Sequence, residues 1–468
     1  MGKSNWKDMR EFLSFLEENG ELRHITEEVD PDWEVNGITR VALQEKGPAI
    51  VFDKIKGAAF PLVTGMLASE KRYLWALGID SWSEFNEEWI KRTKQLIPPK
   101  IEKTGVCQEE TITGANIDLN RICNVKWHQH DGGSFAGTLS ISVTKDPDTG
   151  VLNAGIYRMA TLGKNRLGWG APEYTHGRQH YMKYERQGEP MPMAVVTGCD
   201  PIVEIAGATR MPPGVDEFHL AGALRGESLE MVKCKTINIE VPASAEWVFE
   251  GVIQPEVRDK EREGGFGEYT SYYGEVRRTP VFEIKLITHR RGPIYQGTRE
   301  QWYPSESFFV TGKSFQVDAY QILKGIVPGL LDLRCDISYE AIAKIDKLYK
   351  GHPQQVMDAI WGTTHDHYKH VIVVDKDIDI WDYDSVHWAL STRVKADRDV
   401  FILPRRSGYW LDPAVPLKER EWQTCLGIDA TLPTEEYEFY GERSPRTVDD
   451  PEIVARVKDK WGNTFKIE

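Results

Sequence analysis

The stretch from about residue 118 to 325 constrains the fold most. Short apolar segments at Gly137–Thr144, Gly155–Ala160, Met193–Thr197, Ile237–Val241 and Val281–His289 are separated by Gly-rich turns. That spacing predicts a β-rich barrel or sandwich with insertions, not a helical bundle. Helices are expected there only after Tyr174 and over 216–225. On both flanks the texture alternates. Upstream, Trp6, Met9, Phe12, Leu13 and Leu16 fall at helical spacing over 5–19 and stop at Gly20. Strands near Leu22–Ile25, Ala49–Phe52 and Leu62–Thr64 then interleave with helices near 34–46, 69–78 and 82–96. Downstream of Gly312, helices are expected near 314–323, 338–347, 353–362 and 384–392, with strands at His370–Val374 and Val400–Leu403. Beyond Asp412 the chain reads as irregular, apart from a helix near 451–460. The fold class is α/β (α+β).

Composition excludes several classes of function. A formal charge of -14 over 468 residues opposes a nucleic-acid partner, which needs a basic face. No apolar run approaches the ~20 residues that cross a bilayer. The amino terminus is expected to enter a helix directly, with no signal peptide. Cysteines 107, 123, 199, 234, 335 and 425 contain no CxxC pair, so neither a zinc finger nor a disulfide framework is expected. A reduced, cytoplasmic setting follows.

Several segments carry residues suited to chemistry. Glu263-Gly-Gly-Phe-Gly-Glu268-Tyr269 sets two carboxylates around three glycines, a pattern that fits proton transfer beside a closely held ligand as well as it fits a solvated turn. Asn153-Ala-Gly-Ile-Tyr-Arg158 offers an amide and a planar guanidinium to an oxygen-rich ligand. Five positions apart, they would face opposite sides of a regular strand, so a shared ligand requires a bulge or a grip from two sides. His176 and His180 stand one helical turn apart, which permits a metal pair or one ligand with a structural neighbour. Glu217 begins a helix before Leu220-Ala-Gly-Ala, where an acid is first of all a capping feature. His128, His130 and Asp131 precede Gly132-Gly133 and could line a pocket; His365, His367 and His370 read as a solvated loop before a strand. Thr311-Gly-Lys-Ser314 lacks the upstream glycine of a phosphate loop, and neither a dinucleotide fingerprint nor a serine elbow is present.

Taken in order, these segments resemble the UbiD-like decarboxylases, which use prenylated FMN to remove or add CO2 at unsaturated or aromatic carbons. The resemblance runs through Asp8-x-Arg-Glu-Phe-Leu13, Asn153-x-Gly-Ile-Tyr-Arg158, His176, Glu217, Val232-Lys-Cys234, Val241-Pro-Ala-Ser-Ala-Glu246, Glu263-Gly-x-Phe-Gly-Glu268, Trp388-Ala-Leu-Ser-Thr-Arg393 and Gly427-Ile-Asp-Ala-Thr431. It implies an amino-terminal α/β domain over 1–115, a flavin-reductase-like split β-barrel over 116–325 and a carboxy-terminal α/β oligomerisation domain over 326–468. It implies that Asn153, His176 and Glu217 hold a divalent metal, usually manganese, on the cofactor phosphate, with a potassium ion nearby. Ile156, Thr175, Thr209 and Met211 would join Asn153, Arg158, His176 and Glu217 around the cofactor. Arg158, Glu263 and Glu268 would form a Glu-Arg-Glu set, with Glu268 moving the proton to or from the carbon that carries CO2.

The substrate implied is an aromatic or α,β-unsaturated acid, with Trp302, Tyr303, Phe308 and Phe309 as pocket or core. A flavin prenyltransferase would supply the cofactor, and a homodimer or hexamer is expected. One position departs from the family. Cys425 stands where many relatives place a phosphate-contacting Lys, with Lys418 and Arg420 as alternative cations. That departure keeps open a catalytically silent subunit of a multi-subunit carboxylase. A plain FMN oxidoreductase is the other alternative, but it leaves the Glu-Arg-Glu set unexplained.

Overall fold

The structure is a computed structural model that describes residues 4–123, 125–260, 265–336, 339–363, 368–432, 450–461 and 464. Four sheets organise it. The amino-terminal sheet runs Leu22–Val29, Ala49–Ile55, Leu62–Thr64, and then Tyr295–Gln296, a short strand taken from the far end of the central region. Helix Met9–Glu18 covers the core beside it; Asp8 caps it by accepting the Glu11 N–H at 2.9 Å, and Met9, Phe12, Leu13 and Leu16 are buried.

The central sheet has nine strands. Eight lie in the order Phe135–Gly137, Met159–Thr161, Arg166–Trp169, Arg278–His289, Trp247–Lys260, Met191–Thr197, Ile141–Lys145, Leu152–Ile156, and Glu110–Thr113 pairs with Arg278–His289. Leu152–Ile156 and Met159–Thr161 are neighbours in sequence but stand six places apart in that order. Laid flat, six steps at about 4.8 Å would part them by about 29 Å. Only Tyr157 and Arg158 connect them, and three Cα steps reach about 11 Å at most. The sheet therefore curls until its ends approach, giving a split barrel with Arg158 at the seam. Strand parity fills both faces: Met191, Met193 and Val195 join the aromatic core of Trp169, Trp247, Phe249, Phe282 and Tyr295, while Ala194 and Val196 join the core under the helices.

The expected single strand over Gly155–Ala160 is thus two strands with a break, and the break settles how Asn153 and Arg158 can serve one region. Helix Glu306–Ile326 leads into a five-stranded sheet ordered Leu330–Asp336, Glu340–Ile345, His370–Asp375, Trp422–Ala430, Val400–Ser407. The helix expected at 338–347 is instead the strand Glu340–Ile345, paired on both sides. Tertiary pairing overrides the helical propensity of Ala and Lys there. Likewise the region beyond Asp412, expected to be irregular, contributes an inner strand, Trp422–Ala430. All six cysteines are free, and among the described residues no helix is long and apolar enough to cross a membrane.

Ion pairs from Arg10 and from the capping Asp8, which meets Arg290 at 2.7 Å, join the first helix to the barrel. Arg10 donates through Nε and Nη2 to the fully buried Glu246 carboxylate, both at 2.7 Å, and the Ile294 N–H reaches the same carboxylate at 2.9 Å. Glu246→Ala should lower the free energy of unfolding by about 2 kcal/mol, the scale of losing charge-assisted hydrogen bonds. Urea melts of the two proteins measure it; an unchanged midpoint would show that the pair does not tie the units.

Candidate functional site

Two clusters meet along the seam of the barrel. The first is built on Leu152–Ile156 and the start of helix Glu217–Arg225. Asp216, not Glu217, caps that helix, accepting the Phe218 N–H at 2.8 Å. Glu217 is left to turn toward the strand. Its two oxygens accept the Asn153 side-chain amide at 2.8 Å and the Ala154 N–H at 2.7 Å. Burial pushes its carboxyl up to about 8 against those two donors, and a cation on the carboxylate would offset the penalty. The Asn153 Oδ1 is buried with no hydrogen-bond partner. A buried acceptor left open beside a buried carboxylate suits a hard or borderline cation. His176, half-buried, is the first residue of helix His176–Gln187, and the next residue, Gly177, lies so close to Asn153 Oδ1 that a Cβ there would sit 3.0 Å away. Burial lowers the His176 pKa, which favours the neutral, ligating imidazole. His180 is otherwise engaged: its Nδ1 lies 2.9 Å from Thr144 Oγ1, and burial depresses its pKa to about 4. Among the described residues no three His, Cys, Asp or Glu side chains form a metal cluster, so a site here depends on the asparagine.

Around this cluster, Thr175 heads its helix and donates to the Pro172 carbonyl at 2.7 Å, and Thr209 ends helix Pro201–Ala208, donating to Ile205 at 2.8 Å. Ile156 and Met211 are half-buried against a common core. Cys425 lies on strand Trp422–Ala430, whose parity turns it into the carboxy-terminal core with Leu333, Val373 and Met357, and burial raises its thiol pKa. Arg420 is occupied by the Trp410 and Val415 carbonyls, and Lys418 is exposed.

The second cluster holds Arg158 and Glu268, joined by an ion pair in which the guanidinium donates to the carboxylate. Arg158 also donates to the Glu275 carbonyl at 3.2 Å and lies 5.9 Å from the Phe266 ring. Glu268 belongs to a tight hairpin: Gly274 N–H donates to Phe266 at 2.9 Å, and Glu268 N–H donates to Tyr272 at 2.9 Å. Gly274 permits this approach, since a Cβ there would fall 2.8 Å from the Glu268 carboxylate and 3.1 Å from the guanidinium. Glu263, the other carboxylate of the expected set, lies outside the described residues, as do His365 and His367.

Residues that sequence reasoning left weak or missed support this hairpin. Asp131 accepts the Gly267 N–H at 2.9 Å and the His128 N–H at 2.8 Å. His128 lies under Gly267 and reaches the Glu300 carbonyl at 2.6 Å. The buried Glu300 carboxyl accepts the Ser307 hydroxyl. Desolvation raises Glu300 to about 8, with Glu268 and Glu306 pushing the same way and Ser307 and Arg299 opposing. Phe308 and Phe309 are core, whereas the Trp302 side chain is exposed and its backbone N–H donates to Ser271 Oγ at 3.0 Å.

Comparison with known proteins agrees with this architecture. Residues 100–301 match the UbiD model described as the 3-octaprenyl-4-hydroxybenzoate carboxy-lyase Rift-related domain; 13–93 match the corresponding N-terminal domain and 315–430 the C-terminal domain. An uncharacterised protein of Synechocystis is 33% identical over 489 residues, covering 97% of this chain and 95% of that one. The UbiD-class enzyme HmfF of Pelotomaculum thermopropionicum, in complex with FMN, is 33% identical with a TM-score of 0.86, covering 96% of this chain and 98% of that one. Its evolved dimeric form, in complex with prFMN, is 30% identical with a TM-score of 0.83 over the same shares. Vanillic acid decarboxylase of Sedimentibacter hydroxybenzoicus, in open form, is 29% identical with a TM-score of 0.88, covering 99% of this chain and 100% of that one.

Glu300 gives a pH-dependent signature. Its folded pKa of about 8 lies above the ~4.3 of an unfolded glutamate, so between those values the folded chain holds the extra proton. Its contribution is full below about pH 4, is lost as pH rises toward 8, and stays lost above. Glu300→Gln should flatten part of this decline, the remainder belonging to the other buried acids, among them Glu204, Glu217 and Glu306. Urea melts at pH 5 and pH 8 test it: an identical pH 5-to-8 difference in both proteins would refute the buried, neutral Glu300.

Proposed function

The chain belongs to the UbiD family of carboxy-lyases, whose members are decarboxylases, and from that premise we propose that it removes CO2 reversibly from an aromatic carboxylic acid with Glu268 as the proton donor and acceptor. The observation that carries this reading is the Arg158–Glu268 pair at the barrel seam, in which a half-buried guanidinium meets a buried carboxylate. Arg158 is fixed on one side by its own strand break and on the other by the Glu275 carbonyl. It can therefore orient a substrate carboxylate while keeping Glu268 within reach of the carbon that loses CO2. Glu268 gives its proton to that carbon in decarboxylation and takes it back when CO2 is added.

Prenylated FMN, when bound, supplies the electron sink for the pair of electrons that CO2 leaves behind. Asn153, His176 and Glu217 would hold manganese or a similar divalent cation against its phosphate, with potassium alongside. The open Asn153 Oδ1 and the raised Glu217 are the features of this chain that fit such an ion. Ile156, Thr175, Thr209 and Met211 would border the flavin. The complexes of HmfF with FMN and prFMN support the choice of cofactor, and vanillic acid decarboxylase supports an aromatic acid. A flavin prenyltransferase would have to supply the cofactor, and a homodimer or hexamer remains the expected assembly.

The test uses protein co-expressed with a flavin prenyltransferase and purified without oxygen in manganese. Aromatic acids screened for CO2 release should identify a substrate. Glu268→Gln should then lower kcat by about 10²–10⁴-fold, the usual weight of general acid–base catalysis, with cofactor absorbance retained. Undiminished turnover in that variant would remove Glu268 from the proton step.

A further inference from the structure

We infer that Tyr339 and Tyr409 of the carboxy-terminal unit are positioning residues for Glu268, acting through Tyr269, so that the proton-transferring hairpin is set in place only when that unit is seated on the barrel. The inference rests on the reading of Glu268 as the proton donor. It begins from the residue next to Glu268. The Tyr269 side chain is buried, and its hydroxyl donates to that of Tyr339 at 3.4 Å. The Tyr339 and Tyr409 rings lie 5.8 Å apart at 59°. For an O–H···O bond 3.4 Å is long, so the packed rings carry the contact and the hydroxyls give it direction.

All three tyrosines are buried in the large core that also contains Phe308 and Phe309, not in the carboxy-terminal sheet's own core. Tyr339 stands just before Glu340–Ile345, and Tyr409 in the connection between Val400–Ser407 and Trp422–Ala430. Two separate connections of one unit therefore insert side chains into the core beneath the hairpin of another. The hairpin's far end is held by the same unit: the Arg277 guanidinium lies 4.0 Å from the Trp410 ring centroid. The hairpin is thus tied at both ends to the carboxy-terminal unit.

Backbone strain marks the same contact from both sides. Tyr339 has φ of 64° and Ser271, within the hairpin, φ of 61°. A large L residue in this left-handed region costs free energy and persists only where its surroundings over-determine it. Around Tyr339 they do. Its carbonyl accepts the His370 N–H at 2.9 Å, and Lys369, paired with the buried Asp412 at 2.7 Å, lies 5.4 Å from its ring centroid.

The experiment compares the full-length, cofactor-loaded protein with Tyr339→Phe, Tyr409→Phe and Arg277→Gln. Hydrogen exchange of residues 265–275 is read alongside kcat and KM. The Glu268 and Ser271 amides, which close the hairpin, should exchange about tenfold faster in each variant, with the melting temperature little changed. With an aromatic acid that the native enzyme turns over, kcat should fall about tenfold and KM much less, as expected for a displaced proton donor. Tyr320→Phe, far from the hairpin, should leave its exchange unchanged. Native exchange in 265–275 together with native kcat in Tyr339→Phe and Tyr409→Phe would overturn the inference. If either variant fails to fold, the remaining one and Arg277→Gln decide it. Glu268→Gln separates the two readings: turnover retained there removes Glu268 from the chemistry, whereas an inactive Glu268→Gln beside unaffected tyrosine variants removes only the positioning role.

Discussion

A two-residue connection between strands at opposite ends of a sheet governs this molecule. Tyr157 and Arg158 can join Leu152–Ile156 to Met159–Thr161 only because the intervening strands curl round to bring those ends together. Closure also places the chemistry. Arg158 occupies the gap where regular pairing stops, so its guanidinium is free to meet a carboxylate from another part of the chain, and the hairpin that supplies Glu268 packs over the same gap. Asn153 sits three residues before the break on the strand that leads into it. The guanidinium and the amide therefore address adjoining regions although a continuous strand would have turned them apart.

Much of this was legible in the sequence, and the reasons for success and failure are physical. The helices Met9–Glu18 and His176–Gln187, and the β-rich texture of the centre, were visible because each has local periodicity or punctuation. The strand break at Tyr157 was not, because nothing local distinguishes a break from a bulge until the register of five other strands is known. Glu340–Ile345 was misread because Ala-Ile-Ala-Lys favours a helix in isolation, while pairing on both sides decides for a strand. The burial of Cys425 was not legible for a related reason: which face a strand residue takes depends on parity within the sheet, and a motif alignment does not contain that parity. Asp131 and Glu300 lie far from the hairpin in sequence, and only the fold makes them its supports.

Buried acids divide into two kinds in this protein. Glu306 accepts the Gly65 and Leu67 N–H groups at 3.2 Å, and Glu204 accepts the Gln296 amide at 2.9 Å, so both serve to hold the amino-terminal sheet to helices, Glu306–Ile326 and Pro201–Ala208. Glu217 and Glu268 instead face an open acceptor and a guanidinium, partners that a ligand can compete for or complete. Burial raises the proton affinity of Glu204, Glu217, Glu300 and Glu306 alike. What separates site from scaffold is what lies beyond the amide donors: an open acceptor beside Glu217 and a guanidinium on Glu268, which a cation or a substrate can complete or compete for.

The short strand Tyr295–Gln296 closes the edge of a sheet whose other members all precede residue 65. Synthesis delivers those three strands more than two hundred residues before the fourth. An amino-terminal unit emerging from the ribosome therefore carries an unpaired edge along Leu62–Thr64 for the whole time the barrel is being made, and at 5–20 residues per second that interval lasts about 10–50 s. During it the exposed edge is a template for any passing strand, including that of a neighbouring nascent chain. The long-range pairing that completes the molecule is thus also the point at which its birth most needs protection, whether from a chaperone or from slow, dilute production.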